Sequence, residues 1–256
     1  MNKTVTFHDL AGKSVFVTGG GSGIGASLTE GFLEQGAQVS FVQRSDATEF
    51  CNAMGAKYQN RPTFIPCDIT DIAALNQAIA STVTHQNGLD ILVNNAANDQ
   101  RHQTSEVDEA FWDWSTSINL KAYFFACQAA AEHMKSNGGG SIINFSSISY
   151  MMGNAGYPIY TTSNAGITGM TRSLAREFGP DKIRVNALAP GWVLTEKQLD
   201  KWATPDALAA HLERQCLKDH LSPKDIVDTT LFLASDASRM MTGQAVVVDG
   251  GVVTTG

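Results

Sequence analysis

Short apolar runs alternate with stretches of helical spacing along almost the whole chain, and this alternation limits the possible folds most. Seven runs rich in apolar and β-branched residues are predicted strands: Ser14–Thr18, Gln38–Val42, Thr63–Cys67, Ile91–Asn94, Ser141–Phe145, Arg184–Ala189 and Ala245–Val248. Helical spacing occurs at Leu28–Gln35, Ala73–Val83, Phe111–Met134, Ala165–Phe178 and Lys224–Ala234. Strands that alternate with helices are joined by crossovers, which make them parallel. The pattern therefore predicts an α/β fold with a doubly wound, seven-stranded parallel sheet flanked by helices.

Length and charge set the outer limits of this fold. The chain has 256 residues, of which 43% are hydrophobic, so it can bury a large core, and residues 1–256 are predicted to form a single domain. It carries 18 Lys and Arg against 25 Asp and Glu, a net charge of −7. No basic run could neutralise a phosphate backbone, so nucleic acid is not an expected partner.

Neither a membrane segment nor a metal site is expected. No stretch is apolar over the roughly 18 to 20 residues that a membrane-spanning helix needs, and residues 1–10 lack the basic-then-apolar order of a signal peptide. We therefore expect a cytoplasmic protein with no membrane partner. The cysteines Cys51, Cys67, Cys127 and Cys216 form no CxxC pair, which argues against a metal or a disulfide framework. They are predicted to be small buried residues.

A glycine-rich segment follows the first predicted strand and leads into the first predicted helix. It runs from Thr18 to Gly25 with the sequence TGGGSGIG. Glycines allow a tight turn and a close approach to a pyrophosphate, whose charge is met by free N–H groups and the positive end of the helix dipole. The candidate cofactor-binding residues are Gly19, Gly21, Ser22, Gly23, Ile24 and Gly25. This placement predicts a Rossmann-type, dinucleotide-binding domain.

Further landmarks follow this segment in order along the chain. They are Asp68 and Ile69 after the third predicted strand, Asn95, Ala96 and Ala97 at the end of the fourth, Asn119 in a predicted helix, Ser147 thirteen residues before Tyr160, and Pro190, Gly191, Val193 and Thr195 after the sixth strand. Together with the TGxxxGIG spacing, they resemble the short-chain dehydrogenase/reductase family over nearly the whole chain. The resemblance implies hydride transfer between an alcohol carbon and a nicotinamide cofactor.

The same resemblance implies a role for each landmark. Asp68 would contact adenine, and residues 95–97 would form the floor of the cofactor site. Asn119 would bend its helix and hold a water of a proton relay. The turn from Pro190 to Thr195 would hold the nicotinamide.

Removal of a hydride from a carbinol carbon requires a base for the hydroxyl proton, and Tyr160 is the candidate base, with Ser147 as its catalytic partner. A phenol with a pKa near 10 needs a nearby positive charge to act as a base at neutral pH. The family supplies a lysine in a YxxxK motif, but this chain has Asn164 at that position. Asn164 can hydrogen-bond to a ribose and cannot stabilise phenolate by charge. We predict severely impaired activity, through either a natural loss or a deliberate substitution.

The cofactor preference depends on the end of the second predicted strand. An acidic residue about 20 positions beyond the glycines would accept the ribose hydroxyls of NAD, and this chain has Gln43 there. Gln43 does not repel a 2′-phosphate, and Arg44 and Ser45 lie beside it. The expected cofactor is NADP or NAD, with NADP favoured; a solvated surface role is the alternative for Arg44.

Two variable segments resemble those of the aldose 1-dehydrogenase group, which oxidises xylose, arabinose or galactose at C1 to the lactone. They are residues 98–102 (NDQRH) and 195–198 (TEKQ). A sugar ring needs fixed hydrogen-bond partners and an apolar face to stack on. The candidate substrate residues are Asn98, Arg101, His102, Ser149, Asn154, Trp192, Gln198 and Trp202. Gln100 departs from the Asp expected in this group, and Arg101 could serve an acidic or sulfonated sugar.

The remaining expectations concern the lid, assembly and alternative functions. Residues 193–221 are predicted to form a lid over a small-molecule substrate, with Trp202 and Leu208 facing inward. The predicted helices Phe111–Met134 and Ala165–Phe178 resemble those through which family members assemble, so a homotetramer is expected. One alternative function is a 3-oxoacyl or alcohol reductase, for which residues 98–102 would be incidental. The other is a pseudoenzyme that binds the cofactor without turnover.

Overall fold

A parallel sheet of seven strands forms the centre of the protein in a computed structural model, which describes residues 5–254. The strands are β1 (Ser14–Thr18), β2 (Gln38–Gln43), β3 (Thr63–Pro66), β4 (Ile91–Asn94), β5 (Gly140–Phe145), β6 (Ile183–Pro190) and β7 (Ala245–Val248). Their order is β3-β2-β1-β4-β5-β6-β7, and all neighbours are parallel. The predicted doubly wound sheet is confirmed. The ends of the predicted strands differ from the observed ones by one residue at most.

Ten α-helices occur between residues 5 and 254. They are α1 (Gly23–Glu34), α2 (Thr48–Lys57), α3 (Ile72–Gln86), α4 (Glu109–Thr116), α5 (Ala122–Ser136), α6 (Ser149–Met152), α7 (Pro158–Phe178), α8 (Glu196–Lys201), α9 (Pro205–Arg214) and α10 (Lys224–Ala234). None of these helices is long and apolar enough to cross a membrane. The ends of the predicted domain, residues 1–4 and 255–256, lie outside the described residues.

The long helix predicted at Phe111–Met134 is two helices. A π-helical turn at Ser117–Lys121 separates α4 from α5. Asn119 lies in this turn, and its Nδ2 donates to the carbonyl oxygen of Ser115 at 3.0 Å. A side chain that bonds to the helix backbone competes with the regular ladder, and π-turns of this kind are frequent at functional sites.

Four helices were not predicted: α6, which has only four residues, and α2, α8 and α9, which bury little apolar surface. α2 buries only Cys51, and α8 and α9 bury no residue completely. Their capping residues were the available signal. Thr195 caps α8 by accepting from the N–H of Gln198, and Thr204, followed by Pro205, caps α9.

The two faces of the sheet carry separate hydrophobic clusters, as the two-residue period of a strand requires. In β1, Val15 and Val17 pack in the cluster that includes residues of α1 and α10, whereas Phe16 packs in the cluster beneath α3, α5 and α7. Both faces are covered, so functional groups are concentrated at the carboxyl edge of the sheet. The crevice opens where the strand order reverses, between β1 and β4.

The prediction that all four cysteines are buried is wrong for one of them. Cys51, Cys67 and Cys127 are buried, but Cys216 is exposed. Its thiol donates to the carbonyl oxygen of Gly251 at 3.1 Å. Cys216 is exposed because it follows α9 in a segment outside both core clusters.

Candidate active site

A cleft at the carboxyl edge of the sheet brings together the β1–α1 turn, the ends of β2, β4, β5 and β6, and the start of α7. The segment that contains α8 and α9 covers one side of it. A β-bridge between Val193 and Leu221 closes this segment at its base. The predicted site residues all line the cleft except Gly21, Gly23 and His102.

The β1–α1 turn has a shape that only glycine allows. Gly19 and Gly23 have φ angles of +71° and +53°, and a Cβ at Gly25 would overlap the carbonyl oxygen of Gly19. Ser22 precedes α1 without capping it through its side chain, which leaves the first N–H groups of α1 for an anion. The turn therefore fits the pyrophosphate of a dinucleotide.

Gln43 connects this turn to the end of β2. Its Oε1 accepts from the N–H of Gly21 at 2.9 Å, and its Nε2 donates to the carbonyl oxygen of Ser45 at 3.0 Å. Gly21 therefore does not line the cleft, but its hydrogen bond with Gln43 stabilises the turn. Arg44 lies beside Asp68, with Nη1 and Oδ2 3.9 Å apart and both side chains exposed. This region forms the adenosine end of the cleft.

Asn95 fixes the end of β4 against the glycine turn. Its Nδ2 donates to the carbonyl oxygens of Thr18 at 3.0 Å and Gly19 at 3.2 Å. Thr18 Oγ1 in turn accepts from the N–H groups of Asn95 and Ala96. The floor of the cleft and the turn are therefore held as one unit.

Asn119 holds the backbone that leaves β4. Its Oδ1 accepts from the N–H of Asn98 at 2.8 Å, and its Nδ2 donates to the carbonyl oxygen of Asn98 at 3.0 Å. Asn119 is buried, so this pair of bonds positions the first residues of the substrate end. Its contact with a relay water stays a prediction.

Tyr160 lies in the first turn of α7 and faces the segment after β5 that carries Ser147. Burial and the negative charge of Asp99 raise the pKa of Tyr160 to about 12, while polar contacts from Asn164 and Ser147 partly oppose this rise. The phenol is therefore protonated at neutral pH. In this state Tyr160 can donate a proton but is a poor base.

Asn164 lies one helical turn beyond Tyr160 and is buried. Its Nδ2 donates to the backbone carbonyl oxygen of Tyr160 at 2.8 Å, and the backbone carbonyl oxygen of Asn164 accepts from Ser146 Oγ at 3.0 Å. The amide is folded back on its own helix. It brings no positive charge to the phenol.

Polar and aromatic side chains line the substrate end of the cleft. Ser149 is only 4% exposed, and its Oγ has no hydrogen-bond partner within residues 5–254. Trp192 Nε1 donates to Gln198 Oε1 at 2.9 Å, and Asn154 Nδ2 donates to the hydroxyl of Tyr157 at 3.4 Å. A buried hydroxyl without a partner costs free energy until a ligand satisfies it. This end of the cleft fits a ligand that carries hydroxyl groups.

Asp99 lines the cleft but was not predicted as a site residue from the sequence. Its Oδ1 accepts from Lys197 Nζ at 2.7 Å and its Oδ2 from Gln198 Nε2 at 2.8 Å. Burial would raise the pKa of Asp99, but the contacts with Lys197 and Gln198 outweigh it and lower the pKa. Because both partners belong to α8, Asp99 connects the segment after β4 to the segment that contains α8 and α9. The signal was its position inside the variable segment 98–102.

The face of α9 that lines the cleft differs from the predicted one. Ala207, Ala210, His211 and Arg214 line the cleft, and Leu208 does not. Their spacing of three and four residues places them on one helical face, from which Leu208 is rotated away. Trp202 lines the cleft as predicted.

His102 lies behind the cleft wall, which corrects its prediction as a substrate residue. Its ring packs edge-on against Phe111 at a centroid distance of 4.9 Å. Its Nε2 accepts from the N–H of Ile159 at 3.4 Å, and its Nδ1 lies 3.0 Å from the carbonyl oxygen of Gln100. Through these contacts the ring connects the segment after β4 to the start of α7.

The fold and the cleft together define a class of protein. An NAD(P)-dependent oxidoreductase of this fold has three parts, and all three are present. They are a crevice where the strand order reverses, a glycine turn that fits a pyrophosphate, and a serine–tyrosine pair at the inner end of the crevice.

Known proteins give the family within this class. Residues 19–253 match a family model described as enoyl-(acyl carrier protein) reductase. The chain is 47% identical to the "Probable galactose dehydrogenase GalD" of Rhizobium meliloti, over 96% of this chain and 97% of that protein. It is 43% identical to the D-xylose 1-dehydrogenase of Caulobacter vibrioides, with the same coverage.

A solved structure is also similar. A blue fluorescent protein from a metagenomic library, in complex with NADPH, is 33% identical, with a TM-score of 0.88 over 96% of this chain and 100% of that one. The chain belongs to the short-chain dehydrogenase/reductase family. Its resemblance to the aldose 1-dehydrogenase group is confirmed.

Proposed function

We propose that this protein is a nicotinamide-dependent sugar dehydrogenase that oxidises an aldose at C1 to the lactone. The observation that carries the proposal is the polar and aromatic lining of the cleft around Tyr160, which includes Asn154, Trp192 and Gln198. An acyl chain would leave these polar groups without partners, whereas the hydroxyls of a sugar would bond to them. The names of the two similar proteins, a galactose dehydrogenase and a D-xylose 1-dehydrogenase, support the same substrate class.

The residues of the cleft have separate roles in this reaction. The turn from Gly19 to Gly25 would bind the pyrophosphate, residues 43–45 the adenosine and residues 190–195 the nicotinamide. The bound nicotinamide supplies the hydride acceptor. Tyr160, as phenolate, takes the proton of the C1 hydroxyl, and Ser147 donates a hydrogen bond to the same oxygen. Loss of this proton and of the C1 hydride leaves a carbonyl at C1, which is the lactone.

Turnover should be slow in the chain as it stands. Oxidation requires the phenolate, and the pKa of Tyr160 is raised to about 12. The neighbouring amide of Asn164 bonds to a helix carbonyl and carries no charge. Since a well-tuned acid or base contributes on the order of 10² to 10⁴ in rate, the expected loss lies in this range.

The preferred cofactor is proposed to be NADP. Gln43 leaves the adenosine end without a carboxylate at the second strand. Arg44 is largely exposed and only 3.9 Å from Asp68, a weak pairing that leaves its guanidinium able to bind a 2′-phosphate.

Reduction of a carbonyl compound is the second candidate, and one observation favours it. A protonated Tyr160 is the form that donates a proton to a carbonyl oxygen, and this form predominates here at neutral pH. A 3-oxoacyl or alcohol reductase would use it directly. Such an enzyme would act on apolar carbonyl substrates and would not need the polar lining around Tyr160.

Assembly into a homotetramer is proposed through α5 and α7. Phe124 on α5 is exposed, and it borders a groove between the two helices whose lining also includes the buried Leu174 and Phe178 and the charged Glu132, Lys135 and Glu177. Exposed apolar surface of this kind is typical of an interface. Sedimentation equilibrium of the chain and of Phe124→Glu would test this assembly.

The test of function is nicotinamide reduction, followed by absorbance, over a panel of aldoses with NADP and NAD. It compares the unaltered chain, Asn164→Lys, and Asn164→Lys combined with Tyr160→Phe. We expect Asn164→Lys to oxidise at least one aldose and the double variant to lose this activity. If the chains bind the dinucleotide but none oxidises an aldose, while Asn164→Lys reduces 3-oxoacyl substrates, the sugar proposal fails and the reductase takes its place.

A further inference from the structure

The charges that line the cleft do not balance, although the chain as a whole is acidic. The charged residues of the cleft wall are Arg44, Asp68, Asp99, Arg101, Lys197 and Arg214. Both acidic residues are paired, one with Arg44 at 3.9 Å and one with Lys197 at 2.7 Å. Within residues 5–254, no salt bridge includes Arg101 or Arg214. The substrate side of the cleft therefore carries two uncompensated positive charges.

Aromatic rings hold Arg101 in a defined place. Its guanidinium carbon lies 3.8 Å from the ring centroid of Tyr157 and 5.5 Å from that of Trp202. Stacking occupies the faces of a guanidinium and leaves its N–H edge free to donate. Tyr157 is buried, so the ring nearest to the guanidinium is itself held in place by packing.

The opposite wall adds a second polar element from α9. The His211 ring packs edge-on against Trp192 at 5.3 Å, and its buried Nε2 has no hydrogen-bond partner among the described residues. Burial and the positive charge of Arg214 lower the pKa of His211. Of this part of α9, Arg214 therefore brings a positive charge to the cleft lining, whereas the ring nitrogen of His211 is buried.

We propose that the sugar substrate carries an anionic group at the end away from C1 and that Arg101 binds this group, with Arg214 adding to the attraction. The inference rests on the function proposed above. The ring of Tyr157 contacts both Tyr160, with 5.7 Å between the two ring centroids, and the guanidinium of Arg101, whose carbon lies 3.8 Å from the Tyr157 centroid. A pyranose whose C1 lies at Tyr160 would therefore extend its far end toward Arg101.

The chemistry that fits is a carboxylate, sulfonate or phosphate. All three present oxygens that a guanidinium edge can bind with two parallel hydrogen bonds. A neutral aldose would leave the N–H edge of Arg101 in contact with water only. Hydrogen bonds to charged groups contribute about 1.5 to 3 kcal/mol, which corresponds to roughly 10- to 100-fold in affinity.

The test uses matched sugars of the gluco and galacto series: the neutral aldose, the uronic acid, the 6-phosphate and the 6-deoxy-6-sulfonate. Turnover is measured in Asn164→Lys, and binding is measured in the unaltered chain with NADP bound, by tryptophan fluorescence. We expect at least one acidic sugar to have a KM and a Kd at least about tenfold below those of its neutral counterpart. The acid that is preferred identifies the anionic group.

Two arginine variants show whether Arg101 is responsible. Arg101→Gln should abolish the preference by raising the KM and the Kd for the acidic sugar to within about threefold of those for its neutral counterpart. Arg172→Gln removes an exposed arginine of α7 that does not line the cleft and should retain the preference. Equal KM values for acidic and neutral sugars would overturn the inference and leave the sugar dehydrogenase intact. If no sugar of either kind binds or reacts, both proposals fail.

Discussion

The two ends of the cleft depend on different parts of the protein, one on the backbone and the other on a side chain. At the dinucleotide end the fit depends on backbone: Gly19 has a left-handed φ, Gly25 has no space for a Cβ, and Asn95 bonds to the carbonyl oxygens of the turn. At the proton-transfer end the chemistry depends on one neighbouring charge. Asn164 does not supply it, and the pKa of Tyr160 is raised to about 12.

This difference separates binding from turnover. A site built from backbone keeps its shape when a side chain elsewhere changes, whereas a base tuned by one cation loses its function with that cation. Substitutions at the two ends should therefore have separable effects, with turnover sensitive to position 164 and dinucleotide affinity sensitive to the glycine turn.

The largest expected effect is a gain at the proton-transfer end. Asn164→Lys places an ammonium next to Tyr160, lowers the pKa of the phenol and should raise the rate of aldose oxidation at pH 7 by about 10² to 10⁴. Asn164→Met is the matched control, because it has a long side chain without the charge. The measurement is kcat by nicotinamide absorbance.

The pH profile shows whether charge is the cause. For the unaltered chain, log rate should rise by about one for each pH unit up to pH 10, since the phenolate fraction grows tenfold per unit below a pKa of about 12. In Asn164→Lys the rate should level off at a lower pH. An equal gain from Asn164→Met would contradict this explanation.

Much of the fold could be predicted from the sequence, because its signals are local. Strands such as β1 are continuous apolar runs buried on both faces of the sheet, and a glycine segment beside the first of them fixes the position of the crevice. The spacing of apolar residues gave no sign of the π-turn, since it runs on from α4 to α5; only the family resemblance, which implied that Asn119 bends its helix, pointed to it. α8 and α9 were missed because they bury no residue completely.

The candidate site was predictable where a motif has fixed spacing and less so where it depends on packing. The four catalytic candidates all line the cleft, among them Tyr160 and Asn164. His102 was misplaced because only the tertiary contact with Phe111 shows that its ring points away from the cleft. Asp99 was missed because its partners, Lys197 and Gln198, lie almost 100 residues away.

At the dinucleotide end, Gly25→Ala should weaken NADP binding by about 100-fold, the effect of roughly 3 kcal/mol of steric strain. The added Cβ would meet the carbonyl oxygen of Gly19, which is backbone and cannot rotate away. Gly169→Ala is the control, because a Cβ there meets nothing within 4 Å and the site lies in α7. Titration of NADPH fluorescence measures both. Unchanged affinity in Gly25→Ala would show that the turn does not hold the dinucleotide.

A smaller effect should change the choice of cofactor without changing the turn. Gln43→Glu keeps the oxygen that accepts from Gly21 at 2.9 Å and adds a negative charge. This charge repels a 2′-phosphate, so the Kd for NADP should rise by about tenfold or more while that for NAD stays the same or falls. Gln43→Met, which removes the acceptor without adding charge, separates the two contributions. Equal losses for NADP and NAD in Gln43→Glu would point to damage to the turn instead.

The smallest expected effect tests the coupling between the lid and the base. The negative charge of Asp99 raises the pKa of Tyr160, so Asp99→Asn should lower that pKa and move the rising part of the pH–rate profile to lower pH by less than about one unit. At a fixed pH below the pKa, oxidation should become faster, although the contacts with Lys197 and Gln198 are weakened. Asp68→Asn removes the other acidic group of the cleft at the adenosine end and should leave the profile in place. A profile that moves to higher pH in Asp99→Asn would mean that the lid contact outweighs the charge, and that Asp99 supports the base by holding α8 over the cleft.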